Sequence, residues 1–129
     1  MPRIPIATYR LQLNHTFTFC DATRIVPYLH ALGITDCYVS SILKAVPGSM
    51  HGYDLVDPDC LNPELGTEEE FAAFVAALRQ HDMGLLLDVV PNHMGIRSTE
   101  NRGWWDVLEQ GAASRYAMAF GVDCSALTR

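Results

Sequence analysis

Lysine is nearly missing from this chain. It occurs once, beside eight arginines, in 129 residues that carry fifteen acidic side chains and a net charge of −6. Nucleic acid is therefore not expected as a partner, because phosphate binding needs a dense basic footprint. Cysteines are few and scattered. Cys20, Cys37, Cys60 and Cys124 form no CxxC pair and have no histidine at zinc-finger spacing. A metal cluster is not expected from them, and they read as free thiols, mostly buried. No run of about 18 apolar residues exists, so no membrane-spanning helix and no membrane partner are expected. Met1 to Leu13 lacks the apolar core and small-residue cleavage site of a secretory leader. A reducing cytoplasm fits these absences. What is plentiful is apolar: 49% of residues are hydrophobic and only 19% charged, which suits a folded domain rather than a disordered one.

Ile4–Leu13 alternates, with Thr8, Arg10 and Gln12 on one side and Tyr9, Leu11 and Leu13 on the other. That pattern predicts a strand with unlike faces. Thr18 with Asp21 makes a capping-box-like start. The apolar positions Ala22, Ile25, Val26, Leu29 and Leu32 predict a helix closed by Gly33. Pro27 lies inside it and should kink or split it. Ile34–Ser40, rich in β-branched and aromatic residues, predicts a second short strand. Residues 41–66 hold three prolines and three glycines without a clear period, and read as a long functional loop. Thr67 with Glu70 is a capping box, and Phe71, Phe74, Val75 and Leu78 form the stripe of a second helix capped at Gly84. Glu68, Glu69 and Glu70 read as helix-start electrostatics rather than as catalytic groups. Leu85–Val90 is a near-continuous apolar strand of the kind buried on both faces in parallel sheets. The order β-α-β-loop-α-β is α/β with parallel pairing. A short helix is expected to run to about Gln110.

Chemistry concentrates in three places. Asp88 is the single charge in the Leu85–Val90 strand, and a carboxylate there is costly unless hydrogen-bonded. Asn92 and His93 follow at the strand's C-terminal end, where α/β proteins build their sites. The residues alone leave two readings open, a site or a brace for the next turn. His51-Gly-Tyr-Asp54 lies in the long loop. Tyr53 offers a flat apolar face with a hydroxyl, which suits a sugar ring, or it packs on the loop. Trp104 and Trp105 could stack on sugars, although one of such a pair is commonly core.

Asp88-Val-Val-Pro-Asn-His93, after an HGY element and a βαβ run, resembles the first sequence motif of the α-amylase family of glycoside hydrolases. Thr8–Leu13, Pro47–Asp54, Asn62–Gly66 and Trp104–Glu109 resemble its maltooligosyl trehalose synthase branch, and the similarity runs from about Pro5 to Asp123. Ser41, Met50 and Gly103 depart from the pattern in loop detail. The resemblance implies the first three or so βα units of a (β/α)8 barrel. That fold takes about 250 residues, so 1–129 is expected to be the N-terminal part of a catalytic barrel. It implies a retaining, intramolecular transglucosylation of malto-oligosaccharides, which converts the reducing-end α-1,4 bond to α-1,1. Tyr53 would stack on the sugar, His51 and His93 would hydrogen-bond its hydroxyls, and Asp88 would be a supporting carboxylate rather than a nucleophile. Asp54, Trp104 and Trp105 are further substrate-binding candidates. Asn92 corresponds to a calcium ligand in many amylases, but no metal or cofactor is expected here, and Asn92 is read as shaping the rim. The nucleophile and acid/base are expected on later strands, so this chain by itself is expected to be inactive and to need the remainder of its barrel. The competing readings are another glucan hydrolase or transferase of the family, and a non-catalytic sugar-binding or decayed piece.

Overall fold

The computed structural model describes residues 4–122. β1 spans Thr8–Leu11, shorter than the expected Ile4–Leu13, because only these four residues find a ladder partner. α1 spans Phe19–Ala31. Its start is the capping box read from sequence: the Asp21 carboxylate accepts from the Thr18 backbone N–H at 2.9 Å. Gly33 adopts the left-handed conformation that ends it (φ 88°). The helix runs through Pro27 without being split. Pro27 lies on the exposed face, and its missing N–H leaves the Thr23 carbonyl without its usual intrahelical donor.

β2 spans Asp36–Val39. Residues 41–66 are not the structureless loop expected. They contain β3 (Leu43–Ala45) and β4 (Leu55–Leu61), paired antiparallel as a hairpin. Its register shifts twice, between Leu43 and Lys44 and between Lys44 and Ala45. Such bulges hide the period-two signal and let Pro58 sit inside a strand without costing a ladder bond. The sole lysine, Lys44, pairs with Glu100 and ties this hairpin to the segment ahead of the last helix.

α2 spans Glu68–Gln80, opened by Thr67, whose side chain accepts from Glu70 N–H at 3.2 Å. Glu68, Glu69 and Glu70 all lie in its first turn. The left-handed residue at its far end is Asp82 (φ 52°), not Gly84, which is the first residue of β5 (Gly84–Leu87). β5 is shorter than the expected Leu85–Val90, although Asp88 N–H still reaches the Val39 carbonyl at 3.0 Å. α3 spans Arg102–Gln110, followed by a 3₁₀ turn at Gly111–Ala113.

β1, β2 and β5 form one parallel sheet with β2 central, in the register Thr8↔Asp36↔Gly84. This is the α/β architecture with parallel pairing read from the sequence. Among the described residues the sheet is open. One face is covered by α1 and α2. Leu11, Leu13, Cys37 and Val39 from the strands meet Phe19, Ala22, Val26, Leu29, Phe74 and Leu78 from the helices there. Phe19 and Phe74 have no solvent exposure, and each such burial stabilises by about 1.5–3 kcal/mol. β5 departs from the expectation of a strand buried on both faces. Leu86, Leu87 and Val89 are 37%, 45% and 57% exposed. β5 is an edge strand among the described residues and has no layer over its outer side. Cys37 is buried, but Cys20 is only half-buried and Cys60 is exposed, so the thiols are not mostly interior. Cys124 lies outside the described residues.

Candidate functional site

Side chains alternate along a strand, so Thr8, Arg10 and Gln12 share a face of β1. The parallel register carries that face to Tyr38 on β2 and on to Leu86 and Asp88 along β5. This is the face the helices leave uncovered. At its C-terminal end Asp88 gathers a polar cluster. The Tyr38 and Tyr53 hydroxyls both donate to Asp88 Oδ2 at 2.6 Å. Arg10 Nη2 donates to the Tyr53 hydroxyl at 2.7 Å, and its guanidinium lies 5.6 Å from the centre of the Tyr38 ring. The hydrogen bonds from Tyr38 and then Tyr53, with Arg10 nearby, hold the Asp88 carboxyl below its ordinary range. The carboxylate raises both phenols in return. For Tyr38 its hydrogen bond is the main cause, and for Tyr53 burial comes first. Asp88 is thus held as an anion with two neutral phenols, whose protons both point at it.

Tyr53 is also held from its backbone. Its N–H donates to His51 Nδ1 at 3.0 Å, and the two rings lie nearly parallel with centres 6.1 Å apart. With Nδ1 accepting, a neutral His51 carries its proton on Nε2, where it is free to donate. Gly52 between them adopts φ 78°, and a Cβ there would lie 3.2 Å from the Ser41 carbonyl oxygen. Both the left-handed backbone and the close approach require glycine. His93 Nδ1 lies 2.8 Å from Asn92 Oδ1. Since that oxygen only accepts, Nδ1 carries the proton and Nε2 is the open acceptor.

Tyr53 and His93 line one largely apolar hollow with Gly52, Leu55, Val90 and Met94. His93 and Asn92 line a neighbouring one with Trp104 and Phe120. The structure therefore brings Tyr53, Asp88, His51, His93, Asn92 and Trp104 into one region at the strand ends. Asp54 instead braces its own loop. Its Oδ1 accepts from the Ser49 hydroxyl, and its backbone carbonyl accepts from Val46 N–H. Trp105 lines neither hollow, and its indole N–H donates to the Ser98 carbonyl at 3.1 Å. Neither tryptophan is core. Trp104 is half-buried with its ring 5.4 Å from Phe120, and Trp105 is 39% exposed.

Two cluster members, Arg10 and Tyr38, do not stand out in the sequence. An arginine on the polar side of an alternating parallel strand is the available signal. Among the described residues no three His, Cys, Asp or Glu side chains are placed to hold a metal ion. His93 takes one of the two lone pairs of Asn92 Oδ1. The three cysteines among the described residues are held as thiols rather than thiolates. Burial pushes Cys37 up to about 11, while Cys20 and Cys60 are raised by hydrogen bonds to Glu70 and Asp57.

A carboxylate clasped by tyrosines at the C-terminal rim of a parallel sheet, beside a Pro-Asn-His turn, is a strand-end polar site of the kind that α/β enzymes build. The model of the alpha-amylase catalytic domain matches residues 22–117, and the chain belongs to that family. Within it, the chain is 46% identical over 124 residues to a Mycobacterium tuberculosis protein assigned as a maltooligosyl trehalose synthase, covering 92% of this chain and 16% of the relative. The solved maltooligosyltrehalose synthase of Arthrobacter ramosus superposes with a TM-score of 0.85 at 46% identity, over 88% of this chain and 15% of that one. The intracellular maltogenic amylase of Bacillus subtilis is 38% identical over 89 residues, or 69% of this chain and 14% of that protein. The chain thus spans about a sixth of the length of its trehalose-synthase relatives. It corresponds to a three-stranded portion of their barrel-type fold.

Proposed function

We propose that residues 1–129 form the sugar-gripping part of a catalytic barrel that rearranges malto-oligosaccharides, converting the reducing-end α-1,4 bond to α-1,1 within one molecule. The observation that carries this reading is Tyr53, pinned through its hydroxyl to Asp88 and through its backbone to His51, and lining an apolar hollow. The similarity to the synthases over nearly the whole chain supports it.

In this reading Tyr53 stacks on the sugar at the cleavage subsite. His51 donates to a hydroxyl oxygen through Nε2, and His93 accepts from a hydroxyl through its own Nε2. Asn92 keeps His93 in that tautomer, and Trp104 extends the apolar wall. Asp88 keeps the phenols aligned and attacks nothing. The covalent steps of a retaining mechanism, nucleophilic attack and then acid/base transfer, fall to carboxylates outside this segment. The released glucose must turn within a site that excludes water, since water would give hydrolysis instead. No cofactor is required, the setting is cytoplasmic, and the segment does not turn over substrate without the rest of its barrel.

The test is to incubate the full-length polypeptide that carries this segment with maltopentaose. A non-reducing product ending in an α-1,1-linked glucose pair supports the proposal. Shorter reducing sugars instead would establish a hydrolase, the reading favoured by the similarity to the maltogenic amylase. No conversion, with saturable maltose binding to the 129-residue chain, would leave a binding module.

A further inference from the structure

We propose that Arg10 and Gln12, two neighbouring side chains of one face at the end of β1, are positioning residues that set the orientation of the Tyr53 ring. The inference rests on the reading of Tyr53 as a sugar platform and adds the device that aims it. Residues 50–53 turn through Gly52, which adopts a left-handed backbone, and Asp88 and His51 hold Tyr53 from one side only. The other ties come from β1, about forty residues earlier. Gln12 Nε2 donates to the Met50 and His51 carbonyls at 3.3 and 3.2 Å, which fixes the base of the turn. Arg10 Nη2 donates to the Tyr53 hydroxyl at 2.7 Å, which fixes the tip of the ring. The two ties are joined, because Arg10 Nη1 donates to Gln12 Oε1 at 3.1 Å.

That third contact gives the pair its directionality. Occupied by Arg10, Gln12 Oε1 must face the guanidinium, so the amide nitrogen must face the loop carbonyls. Arginine only donates, so the Tyr53 hydroxyl must accept from it and spend its own proton on Asp88. The ring is then held at its base and tip at once, although Gln12 Nε2 also lies 3.2 Å from the Leu13 carbonyl and Asn14 Nδ2 shares the Met50 carbonyl. Lysine could not replace this. Its single ammonium lacks the rigid fork that serves a phenol and an amide oxygen simultaneously.

The experiment uses the full-length polypeptide that carries this segment, as wild type and as Arg10→Met, Arg10→Lys and Gln12→Glu, with maltopentaose as substrate. Misaiming a binding platform acts at the reacting geometry, so Arg10→Met is expected to lower kcat by about 10- to 100-fold. KM is expected to stay within about threefold. Arg10→Lys should recover part of the loss, and Gln12→Glu, which cannot donate to the carbonyls, should lower kcat in the same sense. Tyrosine absorbance on alkaline titration gives a second readout. Loss of the cation should move the Tyr53 phenol to still higher pH in Arg10→Met. If wild type acts on maltopentaose and the variants remain within about twofold of its kcat with an unchanged tyrosine titration, the inference falls alone. If both Arg10 variants lose activity equally and in step with a lowered Tm, Arg10 is merely structural and the inference also falls. If wild type does not act on malto-oligosaccharides, the functional reading falls and takes the inference with it.

Discussion

Strand β5 pairs with β2 on one side and, among the described residues, with nothing on the other. Leu87 and Val89, at and just beyond its end, are 45% and 57% exposed. An unpaired apolar strand edge recruits another strand, so the 129-residue chain should self-associate. Fully burying a Leu or Val stabilises by about 1.5–3 kcal/mol. About half of each side chain remains to be covered, which leaves roughly 1 kcal/mol apiece. In a symmetric pair both copies contribute the same patch, so the two residues supply about 4 kcal/mol of the association energy. The double substitution Leu87→Lys with Val89→Lys should then weaken association by about a thousandfold, at 1.4 kcal/mol per decade. Sedimentation velocity over a wide concentration range reads this directly. The wild-type chain should show concentration-dependent species larger than a monomer, and the double variant a single monomeric boundary. A wild-type chain that stays monomeric throughout, or a double variant that associates as tightly as wild type, would refute the reasoning.

Three further outcomes are expected. Phe74→Ala empties a fully buried site between α2 and the sheet. It should cost about 3–5 kcal/mol in urea unfolding, whereas a cost under about 1 kcal/mol would show that the helix–sheet core is not formed as described. Gly52→Ala forces a side chain into a left-handed backbone and to 3.2 Å from the Ser41 carbonyl. It should destabilise by about 1–2 kcal/mol and, in the full-length polypeptide, reduce malto-oligosaccharide turnover more than it reduces Tm. Acid should destabilise the chain through its hydrogen-bonded carboxylates. Asp21, Glu69, Glu70 and Asp88 are all held below their ordinary values of 3.8 and 4.5. Their stabilisation is complete above those values and is lost as pH falls through the lower folded-state ones. The urea midpoint should therefore drop as pH is lowered below about 4.5, and Asp88→Asn should flatten part of that slope.

The helices were the most legible part of the fold. Capping boxes at Thr18 and Thr67 and the glycine stop at Gly33 are local devices, complete within a few residues of sequence. The β3–β4 hairpin was not legible, because its two register shifts break the alternation and Pro58 argues against a strand. The end of α2 was misplaced onto Gly84, since Asp82 takes a left-handed conformation that an aspartate only occasionally adopts. β5 read as a doubly buried strand because its composition anticipates neighbours that the described residues do not supply. In the candidate site, Asp88, Tyr53 and His93 stood out as chemistry in unusual places. Arg10 and Tyr38 did not, because their role depends on a register that joins positions far apart in the chain. The alternation of Thr8, Arg10 and Gln12 did reveal a polar face on β1. Only the neighbouring strands show what that face meets.

The order in which the Asp88 cluster can assemble follows from the parallel sheet. Parallel neighbours need long crossovers. The Thr35 hydroxyl meets Ala7 N–H across 28 residues, and the Tyr38 hydroxyl meets Asp88 across 50. Contacts closed over such spans form late, after local helices and the hairpin have shortened the search. As the chain leaves the ribosome, Arg10, Tyr38 and Tyr53 emerge before the carboxylate that joins them. The β1-α1-β2 unit can close while Asp88 is still being synthesised, and only the two phenol-to-carboxylate bonds must wait for β5. The hydrogen bonds of Tyr38 and Tyr53 therefore mark the closing step of the sheet. A tyrosine signal during refolding should lag the helical signal by the time β5 takes to dock.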